Sequence, residues 1–215
     1  FSSIDAGGRY AFGNQPVIAQ WNLARFAETL LPLIDPDDSD NAVRLATNEV
    51  SSVPARYTAV WLDGMRRKIG LVCVEAEDAK LVNDMFAAME SQSVDYTQFF
   101  RRLAVAAEGQ PDPVAALFND PASIANWLAE WQDRCLRDPQ SPRERSMAIE
   151  RENPVYIPRN HKVEEALSAA RTGDLAPFKL LMSALLAPFD RRPGMDDFEK
   201  PAPSEFGPYT TYCGT

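Results

Sequence analysis

The chain has 215 residues, 45% of them hydrophobic, which is enough apolar material to bury a sizeable core as one large domain or two small ones. Its formal net charge is −9, so the field of the whole molecule repels phosphate backbones and anionic surfaces, and nucleic acid and membrane are excluded as expected partners. Ten glycines are few and seventeen prolines many; the prolines cluster at segment edges, as in helices with proline-marked starts, and the fold class read from this is mainly α.

The chain opens with Phe1 inside what reads as a loop, and residues 8–33, "GRYAFGNQPVIAQWNLARFAETLLPL", then run from that loop into a helix. Pro16 stands where proline suits a first helical turn. Ile18, Trp21, Leu23, Phe26, Leu30 and Leu31 follow, and only Asn22, Arg25 and Thr29 keep a narrow polar strip, so the spacing predicts a largely buried helix. The acidic stretch "DPDDSD" at 35–40 lacks the Gly and Glu that a calcium loop needs at its sixth and twelfth places, and reads as a solvated loop capping the next helix. Helices are expected over 41–51 and 56–68, with Gly70 as the stop.

Val82, Met85, Phe86 and Met89 form one apolar stripe and Tyr96, Phe99, Phe100 and Leu103 another, with Asp95 and Gln98 at capping-box spacing between them. Such stripes mean core helices rather than a cofactor pocket. Asp112-Pro113 and Asp120-Pro121 read as caps followed by a first-turn proline, and Ile124, Trp127, Leu128, Trp131 and Cys135 as another stripe. Ser141-Pro142-Arg143-Glu144 has the pattern of a capping box, and the mixed charges from Arg143 to Glu152 read as a solvated face. A helical hairpin is expected from Asn160 to about Ala187, with Gly173 as stop and Asp174 as cap; residues 193–215 read as an extended proline-rich tail.

No apolar run reaches the roughly 20 residues of a membrane span, and no basic segment followed by an apolar run opens the chain, so no secretory signal is read. Three cysteines without C-x-x-C spacing fit a reduced, cytoplasmic setting. Cys73 and Cys135 read as small core residues. Cys213, third from the end, is either a redox or disulfide cysteine or an incidental one.

Unaided, a search for an active site finds little. There is no phosphate-binding glycine loop and no nucleophile elbow, and one histidine removes most triads and multi-His metal sites. His161, with Glu164 and Glu165 after it, reads as a structural hydrogen-bonding residue rather than a metal ligand. Arg159 and Asn160 read as helix-start residues rather than an anion site.

The stretches "SSIDAGGRYAFGNQPVIAQWNLARFAETLLPLI", "DYTQFFRRL", "NPVYIPRNHKVEEAL", "GDLAPFKLLMSALLAPF" and the terminal "YCGT" together resemble the selenoprotein O family, in the family order and from end to end of the chain. The resemblance implies a protein-kinase-like fold, of which this chain would be the remainder of the C-lobe with a C-terminal helical extension. It implies transfer of AMP from ATP, with Mg or Mn, to Ser, Thr or Tyr hydroxyls of protein substrates. None of the family's glycine-rich loop, nucleotide-binding Lys and Arg, catalytic Asp or metal-binding Asn and Asp matches a residue here. Those groups, and most of the ATP and metal site, are therefore expected in an N-terminal half upstream, which would also be the chain's main partner.

By the same resemblance, residues 1–16 are the activation-segment-like loop, 17–192 the helical lobe and extension, and 193–215 the tail. Asp5, Arg9 and Tyr10 become candidates for placing the activation segment or a protein substrate, with anchoring of the loop as the simpler role. Cys213 falls on the family's terminal cysteine or selenocysteine, which implies redox regulation; no cysteine stands among residues 1–16 to partner it. Two other readings stay open. A free-standing, non-catalytic helical interaction module predicts a closed surface and a stable monomer, whereas the lobe of a larger protein predicts exposed apolar surface. A redox protein working through Cys213 is the third.

Overall fold

The structure is a computed structural model that describes Asp5, residues 7–207 and Tyr209. Among these residues there is no β-strand, and the mainly α reading holds. The helices are α1 (Gln15–Ile34), α2 (Ser39–Lys68), α3 (Asp78–Ser91), α4 (Tyr96–Ala107), α5 (Asp112–Ala115), α6 (Ala125–Cys135), α7 (Pro142–Glu152), α8 (Asn160–Arg171), α9 (Ala176–Leu185) and α10 (Asp196–Glu199). Two compact units divide between Trp61 and Leu62, within α2. A boundary inside a continuous helix carries no glycine or proline linker, which is why none was readable.

In the first unit, α1 and the first part of α2 form a helix pair joined by the acidic loop. Asp35 accepts the backbone N–H groups of Asp37 and Asp38, and Asp38 accepts those of Asp40 and Asn41, so the loop caps α2 as expected. Two expectations fail here. First, α1 has no buried residue: Trp21 is 50% exposed and Phe26 59%. The apolar periodicity is real, but within this unit the helix has only one neighbouring helix among the described residues to cover it, and of those residues Ala42 alone is fully buried.

Second, the two helices expected over 41–68 are one helix of 30 residues that runs through Pro54. Proline lacks the N–H that would bond the carbonyl four residues back. That carbonyl, on Val50, instead accepts the side-chain amide of Gln20 at 3.2 Å, so α1 replaces the bond that Pro54 removes.

The second unit is built around the stripes read from the sequence. Val82, Met85 and Met89 of α3, Phe99, Phe100 and Leu103 of α4, and Ile124, Trp127, Leu128, Trp131 and Cys135 are all buried. The stacked indoles of Trp127 and Trp131 (6.1 Å) donate to the carbonyls of Leu81 (2.8 Å) and Ile69 (2.9 Å), which satisfies their polar edge inside the core. The capping box at Ser141 and Glu144 forms in full. The hairpin of α8 and α9 also forms, with Asp174 capping Ala176. It carries a smaller cluster of its own around Val155, Tyr156, Leu181, Ala184 and Phe198.

Several local readings are corrected. Cys73 is exposed, because in the non-helical connection after α2 only Leu71 turns inward, while Val72 and Val74 are 54% and 72% exposed. Asp112 is the first helical residue of α5 and caps nothing with its side chain, unlike Asp120, which accepts from Ala122. Asp95 does cap α4, but Gln98 does not reciprocate, since its amide donates to the Glu199 carbonyl at 2.7 Å. Arg145, expected on a solvated face, is buried and donates to the carbonyls of Gly70 and Cys135. Nor is the stretch after Pro193 simply extended: it forms α10 and a 3-10 turn at Ser204–Phe206, and Phe198 and Glu199 are buried.

Gly70 ends α2 with φ +74°, its N–H bonding to Arg67 and that of Leu71 to Arg66, the paired bonds of a Schellman stop. An added Cβ would meet Arg145 Cγ at 2.6 Å and Ile149 Cγ1 at 2.8 Å. Left-handed backbone strain and overpacking add, so Gly70→Ala is expected to cost about 2–4 kcal/mol in urea unfolding. Gly109→Ala, at φ +89° but with open space around it, should cost only about 1–2 kcal/mol. Equal losses would contradict the packing argument.

Candidate functional site

The loop before α1 is held by its own polar groups. The carboxylate of Asp5 accepts the backbone N–H groups of Arg9 (2.8 Å) and Tyr10 (2.7 Å). The side chain of Asn14 donates to the Gly8 carbonyl at 2.8 Å, and that of Gln15 to the Tyr10 carbonyl at 2.6 Å. The Arg9 guanidinium lies 4.9 Å from the ring centre of Trp21 and 5.7 Å from that of Tyr10. Asp5, Arg9 and Tyr10 are thus brought together as one folded turn against the start of α1, with Tyr10 54% exposed. In this geometry Asp5 shapes the backbone, and Arg9 and Tyr10 are the groups offered to the outside. Cys213 lies outside the described residues.

Further along α1, from Leu23 onward, α1 and α2 leave two apolar grooves. One, of about 360 Å³, is lined by Leu23, Phe26, Leu30, Leu45 and Val53 among others; a second, of about 450 Å³, runs past Leu31 and Val43. Ala27, Ala46 and Val50 line both, so these small residues mark the seam and the grooves flank it.

In the second unit sequence reasoning missed a buried charge cluster. Asp78 is fully buried and accepts from Arg66 Nε at 2.6 Å and Arg134 Nε at 2.7 Å. Arg134 also reaches Asp138 at 2.9 Å and the Cys73 carbonyl at 2.8 Å, while Asp138 accepts the N–H of Val72 at 2.7 Å. Burial pushes the Asp78 and Asp138 carboxyls up, but for Asp78 the arginines and the Glu75 N–H, and for Asp138 the Val72 N–H and Arg134, outweigh it, and both end below the usual carboxylate range. The one available signal was Arg134 and Asp138 four residues apart directly beside a tryptophan stripe. Arg134 spends all three of its nitrogens within this cluster, and Arg66 joins it through Nε.

Arg159 donates through its two terminal nitrogens to both oxygens of Asp95 (2.7 and 3.0 Å) and to the Glu199 carbonyl, while its Nε is buried without a partner, so its charge is matched by Asp95 rather than offered to an anion. The ring of His161 packs edge-on to Phe206 at 5.9 Å and its Nδ1 is buried without a partner, so the expected hydrogen-bonding role is not what the packing shows. Burial, with Lys162 and Arg159 close by, holds its imidazole below the ordinary pKa. Burial pushes the Cys135 thiol up to about 11, which suits an inert core cysteine. Among the described residues no group of three His, Cys, Asp or Glu stands together to hold a metal, and no helix is long and apolar enough to cross a membrane.

Replacing Asp78 by Asn leaves two buried guanidinium groups without their shared carboxylate, and should cost about 3–5 kcal/mol in denaturant unfolding at pH 7. The depressed carboxyls of Asp78, Asp138 and Asp95 contribute stability that is complete above the unfolded value, about 3.9, and is lost as pH falls through their folded values. An acid titration of stability should therefore fall steeply below about pH 4 in the natural protein and less steeply in Asp78→Asn.

The family model described as "Protein adenylyltransferase SelO" matches residues 2–186. The whole chain aligns with proteins named "Protein nucleotidyltransferase YdiU", at 49% identity in Mycobacterium sp. (strain KMS), 51% in Cereibacter sphaeroides and 48% in Chromobacterium violaceum. It covers 43%, 43% and 45% of those relatives, and so spans less than half of their length. At that identity over its full extent, with the model matched over most of its residues, this chain belongs to the SelO family of protein nucleotidyltransferases.

Proposed function

We propose that this chain is the C-terminal part of a protein adenylyltransferase, a kinase-like C-lobe remainder with a helical extension. The longer protein joins AMP from ATP to Ser, Thr or Tyr hydroxyls of protein substrates and releases pyrophosphate. The family membership, shared along the whole chain, is the observation that carries this reading. Among the described residues no group of three metal-type side chains stands together to hold Mg or Mn, and Arg134, Arg159 and Arg145 donate to protein carboxylates and carbonyls. The proposal therefore assigns nucleotide and metal to the upstream part, in the cytoplasm, and to this chain the support of the loop carrying Arg9 and Tyr10. Redox regulation through Cys213 belongs to the same proposal.

The alternative, a non-catalytic interaction module, expects a closed apolar surface. An α1 with no buried residue speaks against it. Calorimetry with ATP and Mg separates the two: the protein extended upstream to its natural start should bind, and this chain alone should not. Failure of both to bind would leave the module reading.

A further inference from the structure

Lys68, in the last turn of α2, is held in a way that no other lysine of the chain shares. Its ammonium lies 4.6 Å from the ring centre of Phe100 and 5.3 Å from that of Tyr96, a cation facing two aromatic rings. The rings are themselves fixed, since Tyr96 meets Phe100 edge-on at 4.8 Å and stacks on Phe86 at 6.2 Å. The lysine backbone is pinned as well, because its carbonyl accepts the Asn153 side chain at 2.9 Å and the chain then turns at Gly70. Lys68 is half-buried and Tyr96 is 46% exposed, so the arrangement sits at the surface of the second unit rather than in its core.

The other lysines set the contrast. Lys80 is paired with Asp84 (2.5 Å), Lys162 with Glu165 (3.0 Å) and Lys200 with Asp197 (2.6 Å), and Lys179 is exposed. No described carboxylate pairs with Lys68; Glu152 of α7 acts on it from a distance, and the ion pair of that carboxylate is with Arg67. Burial, opposed by Glu152, holds the Lys68 amine below its ordinary pKa, whereas hydrogen bonds to their carboxylates raise Lys80 and Lys200. Burial also pushes the Tyr96 phenol up, so it stays neutral and adds no negative charge beside the amine. At neutral pH a larger share of Lys68 therefore carries a free electron pair. Turning it into an amide removes a half-desolvated charge and breaks no ion pair, while the same reaction at Lys80, Lys162 or Lys200 strands a carboxylate.

We propose that Lys68 is an acylation site, modified by small acyl phosphates ahead of every other lysine of this chain because the rings of Tyr96 and Phe100 hold its amine without a carboxylate. The free pair on Nζ attacks the carbonyl carbon of the acyl phosphate. The C–N bond forms, the C–O bond to phosphate breaks, inorganic phosphate leaves with the bonding electrons, and the proton shed by the nitrogen passes to solvent. A short acyl chain then lies against the two rings in place of the ammonium. The product lacks the positive charge that the C-terminal turn of a helix favours, so modification alters the end of α2. The inference does not depend on adenylyl transfer.

The test incubates the full-length protein with acetyl phosphate at neutral pH, labels the remaining amines with heavy acetic anhydride after unfolding, and reads the light-to-heavy ratio at each lysine by peptide mass spectrometry. Lys68 is expected to react at least about threefold faster than Lys179, and to lead the paired lysines by more. The lead over Lys179 should vanish in Tyr96→Leu, which opens one side of the shell to water, and in the denatured protein. A rate at Lys68 equal to or below that of Lys179 in the folded protein would overturn the inference. So would a lead that survives Tyr96→Leu or unfolding, because its cause would then lie outside the rings. Should Tyr96→Leu fail to fold, the native and unfolded forms of the natural protein decide.

Discussion

Asp78 has no contact with solvent and is held between Arg66 and Arg134, and the second unit is organised around that constraint. A buried carboxylate is tolerated only where cations and N–H groups replace its water. Meeting the requirement fixes four pieces of chain at once: the end of α2 through Arg66, the connection from Val72 to Glu75 through its backbone groups, the start of α3 through Asp78 itself, and the end of α6 through Arg134. The stacked tryptophans then close over this frame, each giving its indole N–H to a backbone carbonyl. Replacing such a cluster by apolar residues can leave stability unchanged or higher; its effect here is to permit one arrangement of these segments.

The first unit is organised in the opposite way. It has a well-formed polar loop, a capped acidic turn and a proline whose lost hydrogen bond is replaced by Gln20, yet almost no interior. Its local grammar is complete while its packing is open. That combination suits a helix pair whose core is shared with other chain, and it bears on function because the loop with Arg9 and Tyr10 is anchored on the same α1 through Gln15 and Trp21.

What the sequence made legible was whatever depends on near neighbours. The stripes at 82–89, 96–103 and 124–135, the capping box at Ser141 and the stops at Gly70 and Gly173 are local patterns with local causes, and they stand where expected except that Tyr96, opening its stripe, is 46% exposed. Two of the failures originate in distant partners. Pro54 read as a break because the Gln20 side chain that rescues Val50 lies 30 residues away. Arg145 read as solvated because its acceptors are carbonyls at Gly70 and Cys135, brought together only by folding. Periodicity showed that α1 is apolar but could not show what covers it. The loop residues Asp5, Arg9 and Tyr10 were found through resemblance, and their hydrogen bonds show how the turn is built.

The central claim is adenylyl transfer rather than phosphoryl transfer, by a protein of which this chain is the supporting part. The most direct measurement gives the full-length protein, with Mg, either ATP labelled at the α-phosphate or ATP labelled at the γ-phosphate, and follows label into protein. Incorporation from the α-label alone is the predicted result. Incorporation from the γ-label would mean phosphoryl transfer, and none from either would mean a scaffold without the activity; each would contradict the claim.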